Sequence, residues 1–113
     1  MNLSQHFERL RPFTVREPSG WLKHPYLVPG GFYQEQWDWD GYFIGLHFAY
    51  KGQPQYLQGW ALNFLEAASF DGFVPGCLTV DGPVQGHRAF PMKPFLAQGA
   101  EECLGSGDWL EPY

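Results

Sequence analysis

Between positions 33 and 40 the chain reads Tyr33-Gln34-Glu35-Gln36-Trp37-Asp38-Trp39-Asp40, so aromatic rings, carboxylates and amides are interleaved within one short stretch. Those residue types are what a sugar site needs. The C–H face of a pyranose packs on a ring, and its hydroxyls donate to carboxylates where water is scarce. A plain core segment would not place Trp beside Asp twice in tandem, because a buried carboxylate without partners is costly. The cluster therefore reads as a binding surface. Alternate residues of an extended segment point opposite ways, so one of Trp37 and Trp39 is expected at the site and the other in the core. Asp38 is expected to cap the following helix or to pair with a basic residue. Gln36 and Glu35 carry no specific signal.

Other chemistries find no support in the spacing. His6, His24, His47 and His87 form no HxxxH or HExxH pattern, so neither a metal nor any other cofactor is expected. Gly30-Gly31 lacks the context of a phosphate loop, and no GxSxG nucleophile elbow occurs. Asp38 and Asp40 lie on one segment and offer no opposite face for a leaving group, so they do not make a catalytic pair.

Length and composition narrow the class further. The chain has 113 residues, enough for one small domain. Its formal net charge of −5 argues against a nucleic-acid partner. No apolar stretch is long enough to span a membrane, and Met1 to His6 do not resemble a leader, so a cytoplasmic location is expected. Aromatic residues make up 19% of the chain, more than a core of this size needs, so some rings are expected to face a cleft or a partner. Cys77 and Cys103 form no CxxC pair and are expected as free, buried thiols.

The elements that must position the cluster can be read from periodicity. A short helix over residues 4–10, with Ser4 as its cap, precedes an extended, irregular arm over residues 11–36 punctuated by Pro12, Pro18, Gly20, Pro25 and Pro29. A helix from Trp39 to Tyr50 is apolar nearly all round and should be buried on more than one side, with His47 as a core or near-core residue holding a satisfied partner. After the turn Lys51-Gly52-Gln53, Pro54 opens a second helix running to Ser69. There Leu57, Trp60, Ala61, Phe64, Leu65 and Ala68 repeat at helical spacing, the clearest amphipathic pattern in the chain. The two helices should form an antiparallel hairpin. Short extended pieces are expected over 73–82. A third helix follows from Pro94 to Leu104, and the beginning of a further element over Asp108–Tyr113. Two hairpin helices and part of a third cannot bury so much apolar surface, so the chain reads as the opening of a larger all-helical domain.

Three motifs in order carry a family resemblance: Tyr33–Asp40, then Asp71-Gly72-Phe73-Val74-Pro75-Gly76, then Lys93-Pro94-Phe95-Leu96-Ala97-Gln98. Over about residues 30–104 the chain resembles the N-terminal part of family 63 glycoside hydrolases and the related trehalase-like enzymes, most of all the mannosylglycerate and glucosylglycerate hydrolases. The resemblance implies an all-α fold, the N-terminal segment of an (α/α)6 toroid. Residues 1–36 would form the arm and 37–113 the first helices, with helical hairpins joined by short extended or irregular loops. It implies an inverting α-glycosidase acting on a small α-glucoside or α-mannoside, with an Asp acid and a Glu base that would both lie beyond Tyr113. Asp40 matches the family aspartate that grips sugar hydroxyls; its alternative role is a helix cap. Trp37 and Trp39 match aromatics lining the same subsite. Tyr33 matches a family tyrosine, against plain loop packing. Lys93 matches a polar ligand-contacting position, where it could meet a glycerate carboxylate, pair with a nearby acid, or stand in solvent. Gln98 is expected to be structural. The competing reading is a non-catalytic carbohydrate-binding or interaction module.

Overall fold

The computed structural model describes residues 2–84 and 90–102. The chain begins with helix α1 (Leu3–Thr14), which starts earlier and runs further than the periodicity suggests, through Pro12. Its cap is Asn2, not Ser4: Asn2 Oδ1 accepts from the Gln5 amide at 2.9 Å, and Gln5 Oε1 accepts from the Asn2 amide at 3.0 Å. This reciprocal pair satisfies two otherwise free donors of the first turn. No residue of α1 is buried. It is held to the rest of the molecule by Arg11, whose guanidinium lies 4.8 Å from the Phe48 ring centroid and 4.9 Å from that of Tyr56. The same group donates to the Tyr56 hydroxyl and to Gln53 Oε1.

The arm is more ordered than its prolines suggest. After the end of α1, strands β1 (Val15–Arg16) and β2 (Tyr26–Leu27) pair antiparallel, with Val15 opposite Leu27 and Arg16 opposite Tyr26. Leu22, Tyr26, Leu27 and Val28 are core residues. A second small sheet has the order β3-β4-β5, formed by β3 (Gln36–Trp37), β4 (Cys77–Thr79) and β5 (Gly82–Pro83). The fold is thus mostly helical with two small antiparallel sheets, a correction to the all-α expectation. Short strands with buried, largely apolar side chains, such as Tyr26–Leu27, lack the polar–apolar alternation that identifies a strand from sequence.

Helices α2 (Asp38–Tyr50) and α3 (Gln55–Glu66) form the hairpin that the spacing predicts. Gly41 of α2 faces Trp60 of α3, and Gly45 faces Leu57, so the two run antiparallel. Leu57, Trp60, Ala61 and Phe64 are buried as expected, while Ala68 is exposed because α3 ends at Glu66. The expectation for α2 needs correction. It buries the stripe Asp38, Gly41, Tyr42, Gly45 and Phe48 and leaves Trp39, Phe43 and Tyr50 exposed. Helix α4 (Leu96–Glu102) begins two residues after the expected start and packs on α3 through Gly99, which adjoins the Trp60 ring. Leu104, the end expected for that helix, and the element expected over 108–113 lie outside the described residues.

Among the described residues no helix is long and apolar enough to cross a membrane, and no group of three or more His, Cys, Asp or Glu could hold a metal ion.

Candidate functional site

The extended-to-helix transition at Trp37–Asp38 is where the pieces meet. Trp37 has extended backbone at the start of α2, and no side chain caps the helix. Its position is fixed from below by Trp60, whose Nε1–H is shared between the carbonyls of Trp37 at 3.2 Å and Asp38 at 3.1 Å. Gln36 is fully buried one residue earlier, donating from Nε2 to the Trp60 carbonyl at 3.1 Å. Asn63 closes this polar layer, bonding both the amide and the carbonyl of His24. Each buried amide is thus paired, as burial requires.

Asp38 joins all three sequence motifs. Its amide donates to the Gly76 carbonyl at 3.0 Å. Its Oδ1 accepts from the Trp39 amide at 2.7 Å, and its Oδ2 from the Lys93 amide at 2.9 Å. The Lys93 ammonium stands 3.4 Å from the same Oδ2. Gly76 makes room for this crossing. A Cβ there would stand 3.1 Å from Asp38 Oδ2 and 2.9 Å from the Pro91 carbonyl oxygen, backbone that cannot give way. Of the two roles expected for Asp38, pairing with a basic residue is the one observed, together with a bond to a first-turn amide.

On the solvent side of this junction lies a concavity of about 420 Å³ lined by Pro29, Tyr33, Trp37, Trp39, Asp40 and Lys93. All five residues singled out from the sequence therefore line one cavity. Tyr33 reaches it from a tight turn in which the backbones of Gly30 and Tyr33 pair, and its side chain is exposed. Trp39 is 48% exposed, and the Lys93 ammonium sits 4.9 Å from its ring centroid. Asp40 does not cap α2, and its carboxylate makes no hydrogen bond or ion pair among the described residues. It is free to accept from a ligand.

The expected division between Trp37 and Trp39 does not hold, because the backbone turns helical between them and the two-residue alternation ends. Both line the cavity. Trp37 also packs edge-on against Phe90, with centroids 5.6 Å apart, and its Nε1 is buried without a partner. A second concavity of about 380 Å³ continues past Trp37 and Lys93 towards Gly76, Phe90 and Met92.

Two further expectations are settled here. Cys77, opposite Trp37 in the sheet, is free and buried; burial, then Glu35 and Asp38, push its thiol up to about 12, which disfavours the thiolate. Cys103 lies outside the described residues. His47 is near-core as expected, its ring packed between Phe7 and Phe48, but the expected partner needs correction: its Nε2 is buried without one. It borders a different concavity, lined mainly by apolar side chains of α1 and α2, where there is no carboxylate to receive a sugar hydroxyl. Gln98 is exposed on α4.

Trp60 and Gln36, which hold the cavity floor, were not identifiable as such. Trp60 carried only its place in an apolar stripe, and Gln36 carried no signal.

A family model described as Trehalase matches residues 9–77, well over half of the chain. The match takes in the Tyr33–Asp40 and Asp71–Gly76 motifs, starts earlier than the resemblance seen in the motifs alone, and stops short of Lys93. No solved structure matches the chain.

Proposed function

The chain belongs to the trehalase family of glycosidases, and from that premise we propose that the Tyr33–Lys93 cavity binds one pyranose of a small α-glucoside or α-mannoside, such as glucosylglycerate or mannosylglycerate. The observation that supports this reading is the convergence of aromatic faces and one unengaged carboxylate on a single cavity. In this reading Asp40 accepts from sugar hydroxyls, Trp37 and Trp39 pack on the C–H face, and Tyr33 closes the rim.

Hydrolysis with inversion needs an acid and a base far enough apart to admit water. Asp40 is the one carboxylate among the residues lining the cavity, since Asp38 is buried and engaged. The reading therefore assigns binding and orientation to this chain's described residues and places the acid–base pair outside them, within an (α/α)6 toroid of which these helices would form the first part. Lys93 shares its charge with Asp38, so it contributes to an anionic aglycone only in part.

The test is Asp40→Ala. Charge-assisted hydrogen bonds to a ligand are worth about 1.5–3 kcal/mol, so affinity for methyl α-glucoside or methyl α-mannoside, read by calorimetry, should fall about 10- to 150-fold. In a full-length homologue carrying the same motif, turnover should fall with it. Unchanged affinity and turnover would remove the assignment. Binding by the isolated chain without hydrolysis is expected here, and is also what a purely carbohydrate-binding module would show; turnover in a longer relative separates the two.

A further inference from the structure

We propose that Asp38 is a positioning residue of this cavity, a single buried carboxylate that fixes Trp39 and Lys93 as one wall. The proposal rests on the sugar-binding reading above and concerns a residue that reading leaves out of contact with ligand. The Asp38 side chain is 2% exposed, whereas that of Lys93 is 49% exposed. A carboxylate so enclosed is tolerated only when its oxygens are well supplied with donors. Here the donors belong to the wall itself. Oδ1 holds the Trp39 amide at 2.7 Å, and Oδ2 holds the Lys93 amide at 2.9 Å and its ammonium at 3.4 Å.

The consequence is geometric. Residues 38 and 93 are 55 positions apart, and the backbone bond fixes where the chain passes the cavity. The ammonium bond then fixes which way the Lys93 side chain leaves it, and that direction leaves Nζ 4.9 Å from the Trp39 ring centroid. The cation in turn restrains a half-exposed indole. Without the carboxylate, Lys93 is a long, exposed side chain with many rotamers, and the Trp39 face is no longer held for a sugar ring.

The test uses the full chain with Asp38→Asn, which keeps the shape and one acceptor oxygen but removes the charge. Reductive ¹³C-methylation of the lysines keeps their charge, and a methylammonium over an indole face is displaced upfield by the ring current. The wild-type Lys93 signal should be displaced, and in Asp38→Asn it should move to the position of a free dimethyl-lysine. Affinity for methyl α-glucoside or methyl α-mannoside should fall about tenfold or more. A loss of stability alone would leave the Lys93 signal of the folded population in place. A second variant, Lys93→Gln, keeps the backbone bond and removes the cation; its affinity should fall by a similar factor. A Lys93 signal unmoved by Asp38→Asn, or wild-type affinity in Lys93→Gln, overturns the proposal. Should the wild-type chain bind neither glycoside, the sugar reading fails, and the Lys93 signal alone decides whether Asp38 positions the wall.

Discussion

The indole of Trp60 occupies the space that any side chain at residue 41 would need: a Cβ on Gly41 would stand 2.4 Å from Cδ1 and 2.6 Å from Nε1 of that ring. Trp60 cannot retreat. It is fully buried, and its Nε1–H is the bond that holds the carbonyls of Trp37 and Asp38 under the cavity. In an exposed helix, Gly→Ala stabilises by roughly 0.5–1 kcal/mol. At position 41 the sign should reverse. Gly41→Ala is expected to destabilise by about 1–3 kcal/mol through overpacking, read as a lower urea midpoint at constant slope. It should weaken sugar binding as well, because the start of α2 shifts with the ring.

Two tryptophans near each other should respond in opposite ways to truncation. Trp60→Ala removes a fully buried side chain and should cost about 3–5 kcal/mol of stability. Trp39 is 48% exposed, so Trp39→Ala should leave the urea midpoint nearly unchanged. Its effect belongs to binding, where loss of an aromatic platform should weaken affinity by about 1 kcal/mol, roughly fivefold. Paired denaturation and calorimetric titration of the two variants check the contrast.

His47 gives the fold a pH dependence of known sign. Burial, and then the Lys51 cation, lower its pKa below the ordinary imidazole value; Glu8 acts in the opposite direction, and Arg11 adds to the lowering. The unfolded chain therefore binds more protons than the folded one in the window just below pH 6.5. Stability from this group is fully present above that value and is lost as pH falls through the window. Urea midpoints between pH 5 and 8 should decline towards the acid side in the wild type, and the decline should flatten over that range in His47→Phe. The Glu8 carboxylate is lowered chiefly by its bond to Lys51, and it acts in a separate window, below its own ordinary value of 4.5.

How much of this could be read beforehand differed by element. The α2–α3 hairpin was legible because Leu57, Trp60, Ala61 and Phe64 repeat at helical spacing and Pro54 marks the turn. The interleaved Trp and Asp single out Trp37, Trp39 and Asp40, whereas Tyr33 and Lys93 rest on the family resemblance alone; all five line one concavity. Of the sheets, the extended pieces over 73–82 that hold β4 and β5 were legible, but their pairing and the whole first sheet were not. Val15–Arg16 and Tyr26–Leu27 are too short to show a period, and what pairs them is tertiary: Leu27 and Val28 have to be buried against the hairpin. That Asp38 pairs with a basic residue was legible, but not which one, and the role of Gln36 was not legible at all. Their partners, Lys93 and Trp60, are 55 and 24 positions away, and no local pattern encodes contacts of that range. The near-core place of His47 was legible, but not the missing partner of its Nε2, because the rings around it, Phe7 and Phe48, come from α1 as well as from its own helix.

The most direct test of the sugar cavity is the set of indole N–H resonances of the ¹⁵N-labelled chain, followed while methyl α-glucoside or methyl α-mannoside is added. Trp37 and Trp39 line the cavity, so a sugar packed on their rings shifts their N–H signals. Trp60 is sealed below and Trp21 lies beside Gly82, on β5. The account predicts saturable shifts of the Trp37 and Trp39 signals with those of Trp21 and Trp60 unmoved. Signals of Trp37 and Trp39 that stay in place at high concentrations of both glycosides would contradict it.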